Sequence, residues 1–350
     1  MSFSTSIRSL LTAARVSGVP RRLAHRDVGV LGVPFCKGQP RPGVAQAPQR
    51  LRDYGMLKKL ETMGYRVHDY GDLQFQEFPD DYPAWNIKYP RSIGASCKKI
   101  SNVVEEVTEK GQVALTLGGD HSLSIGTVHG HAMAEPNMCL IWVDAHSDIN
   151  TPMASPSGNI HGMVLSFLAK ELQKYVPRVP GMEWVKPCLS TKDIAFIGLR
   201  DLDPAERCII EQYNITCYTM HEVDRMGIHR VLEEALHSVN PNLDRPIHLS
   251  YDIDSLDPAV SPSTGTPVPG GLSIREGMYI AEEIAATGQL TGIDLVEVNP
   301  ELGSKQDQEL TLFTACEIIG ACFGKRRKGN VPEDYVIPTP AESMEGFTSS

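Results

Sequence analysis

Cys139-Leu-Ile-Trp-Val143 runs without a break into Asp144-Ala-His-Ser-Asp148, and this junction decides how the chain folds. An unbroken short apolar run reads as a strand buried on both faces, the kind found in parallel sheets covered by helices. In the polar half, Asp144, His146 and Asp148 fall at alternate positions, so an extended backbone aims all three the same way. Two further stretches repeat the design. Val113–Leu117 leads into Gly118-Gly-Asp-His121, and residues 247–251 lead into Asp252-Ile-Asp254. Ligand sites of open parallel sheets lie beyond the carboxyl ends of the strands, so the three polar clusters are expected to meet in one crevice.

Outward from these junctions, short apolar runs alternate with amphipathic ones from Asp27 onward. Strands are expected at 28–33, 66–70, 113–117, 139–143, 194–197, 216–219, 247–251 and 290–298, with helices at 91–109, 122–134, 204–213, 228–238, 274–287 and 306–323. The class is α/β, a three-layer αβα arrangement around a central, mostly parallel sheet. No linker or internal repeat divides residues 27–329, so they are read as a single domain.

Composition narrows the function classes. A chain of 350 residues with 41% hydrophobic content can bury a large core. Its longest apolar run, 138–143, falls far short of the roughly 20 residues a membrane helix needs, so no membrane partner is expected. A net charge of -10 argues against a nucleic-acid surface but leaves room for a cationic substrate. The eight cysteines contain no C-x-x-C pair, which suits reduced structural thiols. Residues 1–26 differ from the rest: Arg8, Arg15, Arg21, Arg22 and Arg26 alternate with serines, and no acid precedes Asp27. A helix there would gather Ile7, Leu10, Leu11 and Ala14 on one side. This pattern predicts a mitochondrial transit peptide, cleaved after Arg15, and a matrix location; a basic tail is the alternative. Residues 330–350, with Pro332, Pro338 and Pro340, read as an irregular arm.

Carboxylates gathered at apolar strand ends repel one another and resist desolvation, so something positive must sit among them. Asp144, Asp148, Asp252 and Asp254 would balance two divalent cations, with His121 and His146 giving one imidazole to each. Oxygen-rich ligands without cysteine favour Mn²⁺ over zinc. A lone D-x-D is a weak signal; three such clusters at strand ends are a strong one. The competing reading is a salt-bridged network around Arg200 or Arg245, disfavoured because few cations lie near these segments.

Further stretches extend the pattern: Leu117-Gly-Gly-Asp-His-Ser-Leu123, Val143-Asp-Ala-His-Ser-Asp-Ile-Asn-Thr-Pro152, Ser157-Gly-Asn-Ile-His-Gly162, Ile197-Gly-Leu-Arg-Asp-Leu-Asp-Pro204, Ser250-Tyr-Asp-Ile-Asp-Ser-Leu-Asp-Pro258, Thr264-Gly-Thr-Pro267, Gly270-Gly-Leu-Ser-Ile-Arg-Glu-Gly277 and Asp294-Leu-Val-Glu-Val-Asn-Pro300. Between about Val28 and about Gly329 the chain resembles the arginase and agmatinase (ureohydrolase) family, the arginases in particular. The resemblance implies one Mn²⁺ on His121, Asp144, Asp148 and Asp252 and another on Asp144, His146, Asp252 and Asp254. It further implies hydroxide attack on the guanidinium carbon of L-arginine, giving L-ornithine and urea.

By the same likeness, Glu297 would hold the guanidinium group and His161 would pass protons to the leaving amine, with Asp148 counted among the catalytic groups. Asn150 and Ser157 would meet the substrate carboxylate, Asp203 and Glu206 its ammonium. Thr266 would line the site or serve only as a turn residue. The family also suggests a homotrimer, with Arg327 at the interface, although a basic run is ordinarily a solvated face. Ala45, Ala47, Pro156 and Met163 depart from the usual pattern around the pocket. Three other functions stay open: a ureohydrolase acting on agmatine or a guanidino acid, a non-catalytic partner-binding paralogue, and a deacetylase of similar fold.

Overall fold

The computed structural model describes residues 26–330 and 335–337; the expected transit peptide, apart from Arg26, and most of the C-terminal arm lie outside them. Eight strands form one sheet: β1 (Asp27–Gly32), β2 (Arg66–Asp72), β3 (Val113–Leu117), β4 (Cys139–Val143), β5 (Ile194–Leu199), β6 (Thr216–Thr219), β7 (Ile247–Asp252) and β8 (Leu290–Val296). Their order is β2-β1-β3-β8-β7-β4-β5-β6, and every pairing is parallel. The sheet expected to be mostly parallel is wholly so among the described residues. Each of the eight strands sits where the apolar runs placed it, with ends shifted by a residue or two.

Strand register sorts side chains into two layers. Leu115, Ile293, Leu249 and Ile141 are lateral neighbours across β3, β8, β7 and β4, and all four join one buried cluster. Helices Met220–Val239, Ile274–Thr287 and Lys305–Cys322 close that layer with Val231, Ile280 and Ile319 among others. One residue further along, Thr116, Asp294, Ser250, Trp142 and Phe196 form a row on the opposite face. Helices Pro90–Glu109 and Ser124–Ala134 cover that side.

Two of the boundaries that differ from expectation have a clear local cause. The helix expected at 228–238 starts at Met220, because Thr219 and Glu222 form a capping box, and it kinks at Gly227 (φ 75°). The strand expected to reach 298 stops at Val296, because Glu297 adopts φ 61°. All eight cysteines are free thiols. Arg327, the expected trimer residue, pairs with Glu282 of the same chain at 3.0 Å. No helix among the described residues is long and apolar enough to cross a membrane.

Helices Pro90–Glu109 and Ser124–Ala134 cross with almost no space between their backbones. A Cβ on Gly130 would stand 2.3 Å from the Ser101 carbonyl oxygen, and one on Gly126 2.5 Å from that of Cys97. Gly130→Ala is therefore expected to destabilise the protein by about 1–3 kcal/mol through overpacking, read as a lower midpoint in urea unfolding. An unchanged midpoint would show that the helices can separate freely.

Candidate metal centre

At the carboxyl edge of the sheet, three strand ends deliver acids and histidines to one place. β4 ends at Val143, and Asp144 follows with its Oδ1 accepting from the His146 backbone N–H at 2.7 Å. β7 ends in Asp252, whose Oδ1 accepts from the Asp254 N–H at 2.8 Å. Beyond β3, Asp120 caps a short turn that carries His121, accepting from the Ser122 N–H at 2.9 Å. Trp142 lies parallel to the His121 ring, centroids 4.1 Å apart, and its Nε1–H donates to Asp144 Oδ2 at 3.0 Å.

His121 Nδ1 is 3.1 Å from one oxygen each of Asp144, Asp148 and Asp252. That nitrogen is buried, yet it makes no hydrogen bond. Four ligand-type atoms surrounding a common centre explain both facts, since ligands about 2.1 Å from a cation and at right angles stand roughly 3 Å apart. His146 Nδ1 lies 3.4 Å from Asp144 and 3.3 Å from Asp254. Two groups thus have ligand-atom spacing, His121 with Asp144 and Asp252, and Asp144 with His146 and Asp254, sharing Asp144. The six residues expected to gather do gather.

Electrostatics agree with that placement. Burial pushes the Asp148, Asp252 and Asp254 carboxyls up, and Asp144 adds to the rise at all three. Burial opposes charge on His121 and His146, but the surrounding carboxylates win and raise both. Asp144 alone falls below the usual range, burial being outweighed by its two histidines. Among the described residues, neither arginine considered from the sequence forms a side-chain ion pair with a cluster carboxylate, although Arg200 is near enough to feel Asp254, Asp144 and Asp252. Arg200 spends its guanidinium on the backbone carbonyls of Gly198, Asp254, Ser255, Leu256 and Val268. Arg245 binds the carbonyls of Asn137, Met138 and Val239, and Asp193. The donor set, oxygen-rich with one imidazole per group, fits divalent cations.

Around the cluster stand the other expected residues. Glu297 is buried, and its Oε1 accepts from the His121 N–H at 2.9 Å and lies 3.4 Å from His161 Nδ1. Burial opposes charge on His161, but Glu297 raises it above its ordinary value. Thr266 donates to Asp254 Oδ2 at 3.0 Å, so its hydroxyl props a cluster carboxylate. Asn150 donates to Asp203 Oδ2 at 2.6 Å, while its own Oδ1 is buried without a partner. Ser157 is exposed, its Oγ accepting from the Asn159 N–H.

Glu206 is placed differently from an ammonium-binding group at a pocket mouth. It is buried, with one oxygen accepting from Ser147 Oγ and the Ile149 N–H and the other from the Asp203 N–H. Burial pushes its carboxyl up to about 7. Sequence reasoning gave no role to Trp142 and Ser250, which touch the cluster, or to Asp120, which caps the turn that carries His121. The signal for two of them was strand alternation: Trp142 and Ser250 stand two residues before Asp144 and Asp252, on the same face. Of the atypical positions, Ala47 and Met163 are fully buried, Ala45 is partly buried and Pro156 is exposed.

Comparison with known proteins gives consistent results. A family model described as the arginase family matches residues 26–324. The hepatic arginase of Aquarana catesbeiana is 53% identical over 314 residues, covering 89% of this chain and 97% of its own. Arginase-1 of Homo sapiens is 51% identical over 315 residues, covering 89% and 98%. Among solved structures, the arginase of Bacillus subtilis superposes with a TM-score of 0.76 at 36% identity, covering 86% of this chain and 99% of that one.

Stability of the metal-free protein should carry the mark of this cluster. The raised carboxyls contribute stability that is complete below their unfolded pKa of about 3.9 and is lost as pH rises through their folded values. The raised histidines contribute stability that is complete below about pH 6.5 and is likewise lost as pH rises. Asp144 acts oppositely, but its contribution is already complete above about pH 4. In EDTA, Tm followed by circular dichroism is therefore expected to fall between about pH 6 and about pH 8, and a saturating divalent cation should flatten that slope. A metal-free Tm that rises over this range would contradict the assignment.

Proposed function

The chain belongs to the arginase family, and from that premise we propose that it hydrolyses L-arginine to L-ornithine and urea, using two Mn²⁺ held by His121, Asp144, His146, Asp148, Asp252 and Asp254. It is a hydrolase of the guanidino C–N bond, as its relatives at about half identity indicate. The observation that carries the metal reading is His121 Nδ1, ringed by three carboxylates at 3.1 Å without a hydrogen bond to any.

When bound, the cations lower the pKa of water and supply hydroxide near neutral pH. Glu297 receives the guanidinium, a carboxylate matching that planar fork. The His121 N–H steadies the Glu297 carboxylate, which supports orientation of the reacting carbon. His161, kept protonated to higher pH by Glu297, holds the proton that the leaving amine requires. At the far end, the free amide N–H of Asn150 and the Ser157 hydroxyl supply donors for a carboxylate, and Asp203 supplies the anion for an ammonium. Agmatine brings no carboxylate to those donors, which favours the amino acid as substrate.

We further propose that residues 1–26 direct the protein to the mitochondrial matrix, on their arginine-rich, acid-free composition, and that the mature protein is a homotrimer. Sequencing from isolated mitochondria should begin beyond Arg15. A monomeric mass in light scattering would overturn the trimer.

The central test is steady-state urea release by Mn²⁺-loaded protein on L-arginine, agmatine and 4-guanidinobutyrate. L-Arginine should be preferred, and Asp148→Ala should lower its turnover by more than about 100-fold, beyond the effect of losing an outer partner of a metal ligand. Ser157→Ala should raise KM for L-arginine by roughly tenfold, the value of one charge-assisted bond, and leave agmatine unaffected. Preference for agmatine would overturn the substrate assignment.

A further inference from the structure

On the face covered by helix Ser124–Ala134, the middle of the sheet is not apolar. β7 contributes His248 and Ser250, β8 contributes Thr291 and Asp294, and the helix contributes Ser124, Thr127 and His131, all buried. On their other face the same two strands carry Leu249, Tyr251, Ile293 and Leu295. Burying so many polar groups is costly unless they are bonded, and here they join one chain, Asp294 through its Oδ2 alone, its Oδ1 being buried without a partner.

The chain begins at the metal centre. His121 Nε2 lies 2.9 Å from Ser250 Oγ, which is 3.3 Å from Ser124 Oγ. Ser124 donates to Asp294 Oδ2 at 2.8 Å, and the same oxygen accepts from Thr127 at 2.5 Å and faces His248 Nε2 at 3.1 Å. His248 and His131 then meet through their Nδ1 atoms at 2.9 Å, and His131 Nε2 reaches Glu135 at 2.7 Å. Gly292 makes room for the imidazole pair, since a Cβ there would stand 2.6 Å from one Nδ1 and 2.7 Å from the other.

The direction of donation follows from Asp294. Burial would raise its carboxyl, but His248 and the bonds from Thr127 and Ser124 bring it below the usual range, so it is an anion and only accepts. Ser124 therefore gives its proton to Asp294 and presents a lone pair to Ser250. Ser250 gives its proton to Ser124 and presents a lone pair to His121. In the neutral imidazole that a cation requires, that arrangement keeps the His121 proton on Nε2 and leaves the lone pair on Nδ1, the atom ringed by carboxylates.

We propose that Asp294 is a positioning residue for His121, fixing through Ser124 and Ser250 the tautomer and ring orientation in which Nδ1 can bind a cation. This rests on the reading of His121 as a metal ligand. The device serves one histidine: the partner found for His146 Nε2 among the described residues is the exposed Asp201, at 3.8 Å. Loss of the relay should therefore loosen one of the two cations and spare the other.

The test is Mn²⁺ titration of the full chain, with free Mn²⁺ counted by electron paramagnetic resonance and Tm recorded for each metal-free variant. Asp294→Asn and Ser124→Ala should each weaken one Mn²⁺ by about 10–100-fold, the usual effect of losing an outer partner of a metal ligand. Thr127→Val, which removes a bond to Asp294 off the path to His121, should lower the metal-free Tm and leave both affinities in place. Unchanged affinities in Asp294→Asn or Ser124→Ala, or equal loosening by Thr127→Val, would overturn the proposal. His121→Ala separates the two claims: if it retains both ions at full affinity, the ligand reading itself fails, whereas loss of an ion there and not in Ser124→Ala defeats the relay alone.

Discussion

Four carboxylates and two imidazoles share a buried site at the carboxyl edge of the sheet, where the arginines considered as their counterions bind elsewhere. The surrounding fold can be understood as the means of tolerating that charge. Asp148, Asp252 and Asp254 are driven toward the neutral form while His121 and His146 are driven toward the charged one, so the protein alone is in an unsettled electrostatic state. The core beneath therefore has to be rigid. An all-parallel sheet sealed on both faces by helices supplies that rigidity, because every strand entering the site is pinned laterally by its neighbours.

The period of the β-strand organises more than the first ring of ligands. His248, Ser250 and Asp252 follow one another at alternate positions of β7, as do Trp142 and Asp144 across the end of β4. One face of each strand thus changes from core to supporting group to candidate ligand over a few residues. Trp142 belongs to both regimes, its ring packed on His121 and its N–H bound to Asp144. The opposite faces stay apolar throughout, which gives register a strong energetic preference, since a one-residue slip would send the ligands into hydrocarbon.

Much of this was legible in the sequence. The eight strands were readable because parallel strands are continuous apolar runs, and the ligand clusters because polar residues end three of those runs abruptly. Other features depended on contacts between distant segments. The start at Met220 was hidden because Thr219 belongs to a strand and to a helix cap at once. Glu206 looked like a pocket residue, yet the fold inserts it beneath the Asp148 loop, where Ser147 and Ile149 bind it. Asp294 lies within an apolar strand and gives no sign of its partners, because Ser124, Thr127 and His248 come from other elements.

Glu297 shows how the two halves of the site are joined. Its backbone sits at φ 61° and that of Asp148 at φ 50°, a conformation costing an ordinary L-residue about 1–2 kcal/mol. Each is held there by a bond to another element: the Glu297 N–H donates to the Gly119 carbonyl, and the Asp148 carbonyl accepts from the Leu165 N–H. The carboxylate of Glu297 returns to the backbone N–H of His121. Glu297, the group proposed to receive the guanidinium, and the imidazole that faces the carboxylates are therefore fixed by the same turn, Gly119 to His121. On the proposed reading substrate and cation cannot be positioned independently, and the strain at Glu297 is the cost of that coupling.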